Sequence, residues 1–485
     1  MYCSYDTGIL PPSGFPILFS CAVSGKIAKI PIKQEKSDPC LDKGYVNKLG
    51  MQDEPENDES QLYSDDTFLQ KLDHVTQVMG YHPTYLNIFL RTQNYIMRGD
   101  GPLSYEYRHY IAIMAAGRHQ CSYLINLQKE EFLSQGGDQD WLKGLSYAPK
   151  KLGLLYEVNK ILAHRPWLLN PSHLQKLTKN GWSLGELCHA LVLLVNFHSL
   201  ASFVFACGVN EELDSLTDSK NKLSDKKTSS NLTKKSVKRP GNVDDEDGLN
   251  EDSSSEPESE VGLETLMERM KKLSQLSQEF SPEEKIKRFI RVESQSAELG
   301  AAPPPVTSCT SSEVEHVIED VGYTYIDFAR RDSDGLNIPT FRVQDYSWDD
   351  HGYSLMNRLY NDVGNLLDDK FKIAYNLTYY TLAGRTQVDT SRFRRAIWNY
   401  VQCLFGIRHD DYDYGEVNQL LERSLKSFIK TTACYPERMT SEEYNNVLKE
   451  FHHSEKIQVN LLILESRMQA QLLYSLRTLM RYIRG

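Results

Sequence analysis

The sequence lacks the short motifs that mark the common enzyme classes. It has no glycine-rich phosphate loop, no His-Glu-x-x-His, no Gly-x-Ser-x-Gly and no set of kinase signatures. NTPase, zinc-protease, serine-hydrolase and kinase chemistry are therefore not expected. The nine cysteines are scattered singly, without Cys-x-x-Cys and without paired Cys/His spacing. An odd count with no framework reads as reduced thiols in a cytoplasmic or nuclear protein, with no metal and no cofactor expected. Positive charge is in deficit: 55 Lys+Arg against 66 Asp+Glu leave a formal charge of -11. That balance argues against direct nucleic-acid binding, which calls for a basic face.

Membrane signals are equally thin. The apolar stretch Phe15 to Val23 has no Lys or Arg before it, so it is not expected to be a signal peptide. Leu187 to Val209 is long enough to span a bilayer but contains His189, Asn196 and His198. Each such group costs roughly a few kcal/mol in lipid, whereas a protein core can supply partners. The spacing predicts a buried core helix and no transmembrane segment.

What is present is helical periodicity in two blocks. Residues 1–62 are expected to be a disordered N-terminal segment, with Pro11-Pro12 and an acidic stretch from Gln52 to Asp58. Residues 63–210 read as a helical domain: Leu69, Leu72, Val75, Val78 and Met79 recur at helical spacing, and Tyr105 to Phe132, Leu154 to Leu162, His173 to Leu177 and Leu184 to Phe205 follow. Residues 211–318 read as a charged, mostly disordered linker, basic from Lys220 to Arg239 and acidic from Asp244 to Glu260, with one short helix near 261–278. The basic cluster leaves nuclear entry open beside a solvated linker. Residues 319–485 read as a second helical domain, with helices over Ser354 to Leu367, Phe371 to Leu382, Ser391 to Phe405, Tyr414 to Thr431, Ser441 to Phe451 and Ser454 to Ile483. The fold class is all-α: two helical domains joined by a long linker.

Three groups of residues carry candidate chemistry. Gly117 is placed to end one helix, leaving Cys121 near the start of the next with Arg118 and His119 beside it. A helix N-terminus and nearby cations lower a thiol pKa, so Cys121 is a candidate peroxide-reducing nucleophile with Tyr123 as proton relay. The plainer reading is a small buried residue. Thr378, Tyr379, Thr381, Thr390 and Arg394 offer hydroxyls and a fixed fork of donors for a carboxylate, and Glu455, far along the chain, can receive an ammonium group. An acid and a base held apart around an apolar pocket suit a free amino acid; ordinary structural ion pairs are the plainer reading. The stretch from Gly406 to Tyr414 is acidic and aromatic, so Asp410 and Asp411 read as an exposed docking site or as a solvated turn.

RHYIAIMAAGRHQCSYLINL (Arg108 to Leu127), LAHRPWLL (Leu162 to Leu169), HSLASFVFACG (His198 to Gly208), IRHDDYDYGEVNQLLERSLK (Ile407 to Lys426) and HSEKIQVNLLILESRMQAQLLYSLR (His453 to Arg477) closely resemble the sestrin family, in an invertebrate-type member. The resemblance implies two related domains similar to bacterial alkylhydroperoxidase D. It also implies L-leucine as ligand and the second GATOR subcomplex as partner. The activity implied is a cytoplasmic brake on target-of-rapamycin complex 1 that leucine relieves, with a role in oxidative stress. On the matched positions Arg394 would hold the leucine carboxylate and Glu455 its amine. Thr378, Tyr379, Thr381 and Thr390 would form wall and lid, and Asp410-Asp411 would meet the partner. Cys121 and Tyr123 would match the proposed peroxide-reducing group, the alternative function being an alkyl hydroperoxide reductase. Two departures stand out. Gln128 occupies the place of the family's third peroxidase residue, a His, which removes acid–base help worth roughly 10²–10⁴. Leu448 stands where vertebrate members place a Trp beneath the leucine, a loss on the order of 1–3 kcal/mol. A leucine site that responds at higher concentration is expected.

Overall fold

The computed structural model describes residues 72–209, 262–275, 280–300, 320, 322–334 and 337–485. The expectations for residues 1–62, for the charge blocks of the linker and for nuclear entry through its basic cluster lie outside the described residues. In chain order the helices are α1 (His74–Met79), α2 (Pro83–Arg98), α3 (Tyr105–Arg118), α4 (Ser122–Ser134), α5 (Lys150–His164), α6 (Pro171–Lys179), α7 (Leu184–Cys207), α8 (Leu263–Gln275), α9 (Pro282–Glu298), α10 (Tyr353–Leu359), α11 (Val363–Asn376), α12 (Ser391–Leu404), α13 (Gly415–Leu420), α14 (Arg423–Cys434), α15 (Ser441–Asn446) and α16 (His453–Arg484). Four two-residue strands add little: β1 (Phe341–Arg342) pairs in parallel with β4 (Ile407–Arg408), and β2 (Thr381–Leu382) pairs antiparallel with β3 (Arg385–Thr386). The all-α expectation holds.

Local chemistry explains where periodicity misjudged the ends. The apolar run from Tyr105 to Phe132 is two helices, because Gln120 takes a left-handed φ of 53° and Cys121 becomes the N-cap of α4. Likewise Asp362, at φ 59°, separates α10 from α11 within the stretch read as Ser354 to Leu367. The helix read to Leu382 stops at Asn376, and the chain turns into the β2–β3 hairpin. Among the described residues of the stretch read as linker there are two helices where one was expected. Ser281 caps α9 by accepting from the Glu284 N–H, Pro282 sits in its first turn, and Phe289, Val292 and Ser296 form its buried stripe.

The described parts of both expected domains fall within one compact unit, Glu59–Gly485, and share one hydrophobic core. Two helices form its centre. Every residue of α7 from Leu187 to Val204 is buried. That helix is long and apolar enough to cross a membrane, yet 89% of its most apolar window is covered by protein. The polar residues that argue against a membrane span find partners in the core: His189 Nε2 lies 2.8 Å from the Ile96 carbonyl, Asn196 donates to Gln93 at 3.0 Å, and His198 Nε2 lies 2.7 Å from Asn159 Oδ1. Against α7 packs α16, buried on all faces from Leu461 to Met468.

Two ionic groups on opposite faces of α16 join the halves. Glu465 is paired with Lys370 of α11 at 3.2 Å, both side chains fully enclosed, and accepts the Tyr85 hydroxyl of α2. Burial pushes the Glu465 carboxyl up, against the pull of Lys370. Two residues on, Arg467 enters the first half. Its guanidinium donates to Ser202 of α7, to the Ala163 carbonyl at 3.2 Å and to His119 Nε2 at 2.8 Å. His164 and His198 flank His119, with ring centroids 5.2 and 5.5 Å away. Burial, reinforced by the nearby guanidinium groups, holds all three imidazoles well below their ordinary pKa, so they are neutral.

Lys370→Met strands the Glu465 carboxyl without its cation, and chemical denaturation should show a loss of about 3–5 kcal/mol. Lys370→Met combined with Glu465→Gln should recover most of that loss. Acid should also unfold the protein early. The buried imidazoles include His189, lowered by burial to about 3, and His409, lowered by burial to about 4. In the unfolded chain each titrates near 6.5, so there the unfolded state binds more protons. Unfolding free energy should be level above pH 7 and fall below about pH 6.5, by up to ~1.4 kcal/mol per pH unit for each such histidine. A level profile from pH 7 to 5 would contradict this.

Candidate functional site

The segment from Leu377 to Thr390 leaves α11, turns as the β2–β3 hairpin and returns to start α12. Three contacts hold it. At its root, Arg394 Nη1 donates to the Leu377 carbonyl at 2.8 Å and to Thr390 Oγ1 at 3.1 Å, while Gln458 donates to the same carbonyl at 2.6 Å. Thr378 Oγ1 lies 3.5 Å from Thr390 Oγ1 and accepts the Tyr380 N–H at 3.1 Å. At its tip, the Ala383 N–H donates to both oxygens of Glu455, at 2.9 and 3.0 Å. Along its side, the Tyr379 hydroxyl lies 3.0 Å from His82 Nδ1, and the two rings stack. His82 belongs to the first half, and its other nitrogen lies 2.9 Å from the Ser454 carbonyl.

The hairpin is strained. Both central turn residues, Ala383 (φ 49°) and Gly384 (φ 76°), have the positive φ that a two-residue turn requires. Only the second is a glycine. Tyr380 (φ 55°) and Gln387 (φ 61°) add two more left-handed residues with side chains. Such residues cost roughly 1–3 kcal/mol each and gather at ligand clamps.

The electrostatics at the two ends are opposite and uncompensated. Arg394 is buried, its Nε has no partner, and no carboxylate pairs with it among the described residues. Burial lowers its pKa, against the pull of Asp389. Glu455 is buried too, and its described bonds come from backbone N–H groups alone: Ala383, and His452 at 2.8 Å in the capping box of α16. A guanidinium and a carboxylate, neither in an ion pair among the described residues, thus touch the two ends of one hairpin, with Asp389 acting on the guanidinium only at longer range. Thr378, Thr390 and Arg394 form one connected group, and Glu455 meets the same segment at its tip. Thr381 is half-buried in β2, paired with Thr386, and Tyr379 turns away towards His82.

A cavity of about 260 Å³ is bordered by Phe393, Leu448, Phe451 and, from α8, Leu263 and Leu266, with Arg269 and Glu450 also on its wall; neither the hairpin nor Arg394 or Glu455 lines it. Phe393 and Phe451 meet at 6.0 Å between ring centroids. Leu448 has a φ of 52°, unusual for a branched side chain.

Cys121 is buried, 1% exposed, at the N-cap of α4. A helix break precedes it as expected, but at Gln120 and not at Gly117, which lies within α3. The thiol's two basic neighbours, Arg118 and the neutral His119, point elsewhere, however. Arg118 donates to the Tyr156 hydroxyl and to the carbonyls of Asp320 and Tyr323, and His119 faces Arg467. The Tyr123 hydroxyl accepts the Val75 N–H at 3.2 Å. Gln128 is buried, with its oxygen 2.9 Å from His109 Nδ1.

Asp410 and Asp411 have different surroundings. Asp410 accepts from Arg342 at 2.9 Å and from Arg408 at 2.8 Å. Burial works against ionisation, but these two guanidinium groups hold the carboxyl below its ordinary value. Asp411 exposes 69% of its side chain and pairs only loosely, at 3.2 Å, with Arg395. The first carboxylate builds the turn and the second faces solvent. Residues that sequence reasoning missed are His82, Gln458, Lys370 and Arg467. The one visible signal was a pair of ions, Glu465 and Arg467, inside the apolar run of α16.

Fold and site define the class first: a predominantly helical protein that sets a buried guanidinium and a buried carboxylate against one hairpin, with no metal-binding group of His, Cys, Asp or Glu among the described residues. The family model described as PA26 p53-induced protein (sestrin) matches residues 44–483. The chain is 49% identical to the sestrin homolog of Drosophila melanogaster over 465 residues, covering 86% of this chain and 93% of that protein. It is 49% identical to Sestrin-1 of Xenopus laevis over 448 residues (88% and 91%) and 49% identical to human Sestrin-2 over 419 residues (85% and 84%). The chain belongs to the sestrin family.

The unequal aspartates give a stability test. Asp410→Ala should cost about 1–2 kcal/mol in denaturant unfolding, because it unpairs two arginines. Asp411→Ala should stay within about 0.5 kcal/mol of the parent.

Proposed function

We propose that this protein is a leucine-responsive inhibitor of target-of-rapamycin complex 1, acting in the cytoplasm. It binds the second GATOR subcomplex and releases it when leucine is bound. The observation that carries the reading is the pair of uncompensated buried charges, Arg394 and Glu455, on one strained hairpin. A free amino acid supplies what each lacks. Its carboxylate gives Arg394 the anion that a buried guanidinium requires, and its ammonium gives Glu455 a charged donor in place of the Ala383 N–H. Thr378 and Thr390 offer hydroxyls beside the carboxylate. The apolar side chain goes towards Phe393, Leu448 and Phe451, where surface can be removed from water.

Leucine would therefore stabilise one arrangement of the hairpin over another, and the partner's affinity would change by that difference. On the partner side the two aspartates take separate parts: Asp411 meets the partner, while Asp410 holds the turn in shape. The role in oxidative stress follows family membership. Direct peroxide reduction at Cys121 is disfavoured by the enclosure of the thiol, by the engagement of Arg118 and His119 elsewhere, and by Gln128, which cannot shuttle protons at neutral pH.

Titration calorimetry with L-leucine tests the reading. The wild type should bind saturably, and Arg394→Ala and Glu455→Ala should each abolish binding. Leu448→Trp should tighten binding by roughly tenfold to a hundredfold. Absence of heat at millimolar leucine would overturn the proposal. In pull-down, Asp411→Ala should lose the GATOR partner while keeping its leucine affinity.

A further inference from the structure

Arg467 is the largest side chain wholly enclosed in the protein, and it has no carboxylate ion pair among the described residues. Its described partners are neutral: a serine hydroxyl, a backbone carbonyl and an imidazole nitrogen. Arg118, 5% exposed, bonds a phenol and two carbonyls and also has no carboxylate ion pair among the described residues. Close enough to attract both guanidiniums, Glu437 is half-buried with its Oε2 enclosed and unpartnered, and Arg438 reaches its other oxygen at 3.8 Å. Positive charge in this interior exceeds negative.

Beside that one unpartnered acceptor, the same region holds several buried donors without partners. Arg467 Nε, Arg118 Nε and Gln471 Nε2 are buried without partners. His119 Nε2 accepts from Arg467, so the proton of this neutral ring is on Nδ1, which is also buried and unpartnered. Neither nitrogen of His164 has a partner, and in the neutral ring one of them carries a proton. An unmade buried hydrogen bond costs about 1–3 kcal/mol, so several in one region call for a common acceptor. A water molecule accepts two hydrogen bonds and supplies no charge. A metal cation would meet N–H groups and guanidiniums, and no metal-binding group of His, Cys, Asp or Glu occurs among the described residues.

We propose that this cluster, where α16 enters the first half, is a site for a small monovalent anion of halide size, chloride under cellular conditions. Such an ion accepts several N–H donors without directional demands and supplies the negative charge that Arg467 and Arg118 lack. Bound there, it belongs to the folded state alone, so it stabilises the junction between the halves in proportion to its concentration. The site is separate from the hairpin clamp and does not depend on leucine.

Crystals of the full chain grown in sodium bromide test this directly. An anomalous peak within reach of Arg467 Nε and the His119 and His164 rings is expected. No peak, or density without anomalous signal, would overturn the proposal in favour of water. In solution, the melting temperature should be higher in chloride than in gluconate of equal ionic strength and should climb with chloride concentration. Identical curves in the two salts would equally refute the site. His164→Leu leaves every described bond of Arg467 in place and should weaken the chloride response at least tenfold; an unchanged response would remove the site from this cluster. Should that variant fail to fold, the bromide and gluconate measurements on the wild type still decide.

Discussion

The burial of charge along α16 is the constraint on which the rest of this structure depends. A helix enclosed on every face is ordinarily apolar all round, yet this one carries Glu465 and Arg467 at its most enclosed turn. Each is costly to desolvate, and each is stable only where its partners stand. Glu465 requires Lys370 and Tyr85; Arg467 requires Ser202, Ala163 and His119. These partners come from five elements in both halves of the chain. A sliding or rotated docking of the halves would bury the same charges unpaired, so the ions select one register where apolar packing alone would tolerate several.

That selection matters for the candidate site, because the clamp is assembled from parts that the register brings together. Arg394 is on α12, Glu455 opens α16, and the hairpin between them is steadied by His82 from the first half. No one of these elements makes a receptor. The hairpin alone would be a strained loop with three side-chain-bearing residues, Tyr380, Ala383 and Gln387, at left-handed φ, and its geometry persists because each end is bonded to a buried charge. The strain of the hairpin and the burial of Arg394 and Glu455 are two sides of one arrangement, in which each charge is met by backbone and hydroxyl groups of the hairpin.

Much of this was legible in the residues. Helical periodicity and the near absence of alternation identified an all-α fold, and His189 and Asn196 marked α7 as a core helix because a core can bond them and lipid cannot. Arg394, Glu455 and the threonines were recognised as a set through resemblance, and the structure brings Arg394, Thr378, Thr390 and Glu455 to one hairpin. What escaped was conformational or three-dimensional. The breaks at Gln120 and Asp362 depend on left-handed backbone at residues that are not glycine, which periodicity does not register. The stripe Phe289, Val292, Ser296 of α9 was hidden within a polar, charged composition. Asp410 and Asp411 are adjacent and chemically identical, so only the placement of Arg342 and Arg408 tells scaffold from surface. Arg467 lies in a run whose buried faces cannot be assigned until both neighbouring helices are in position.

One consequence concerns mechanics. The last helix has 32 residues, a rod of about 48 Å at 1.5 Å per residue. Its first turn carries Glu455, and its middle carries Glu465 and Arg467, about 15 and 18 Å further along the axis by the same rise. A rod of this kind does not absorb a push at its tip by bending in the span between. The first turn is thus the long arm of a lever whose fulcrum is the buried ionic junction between the halves.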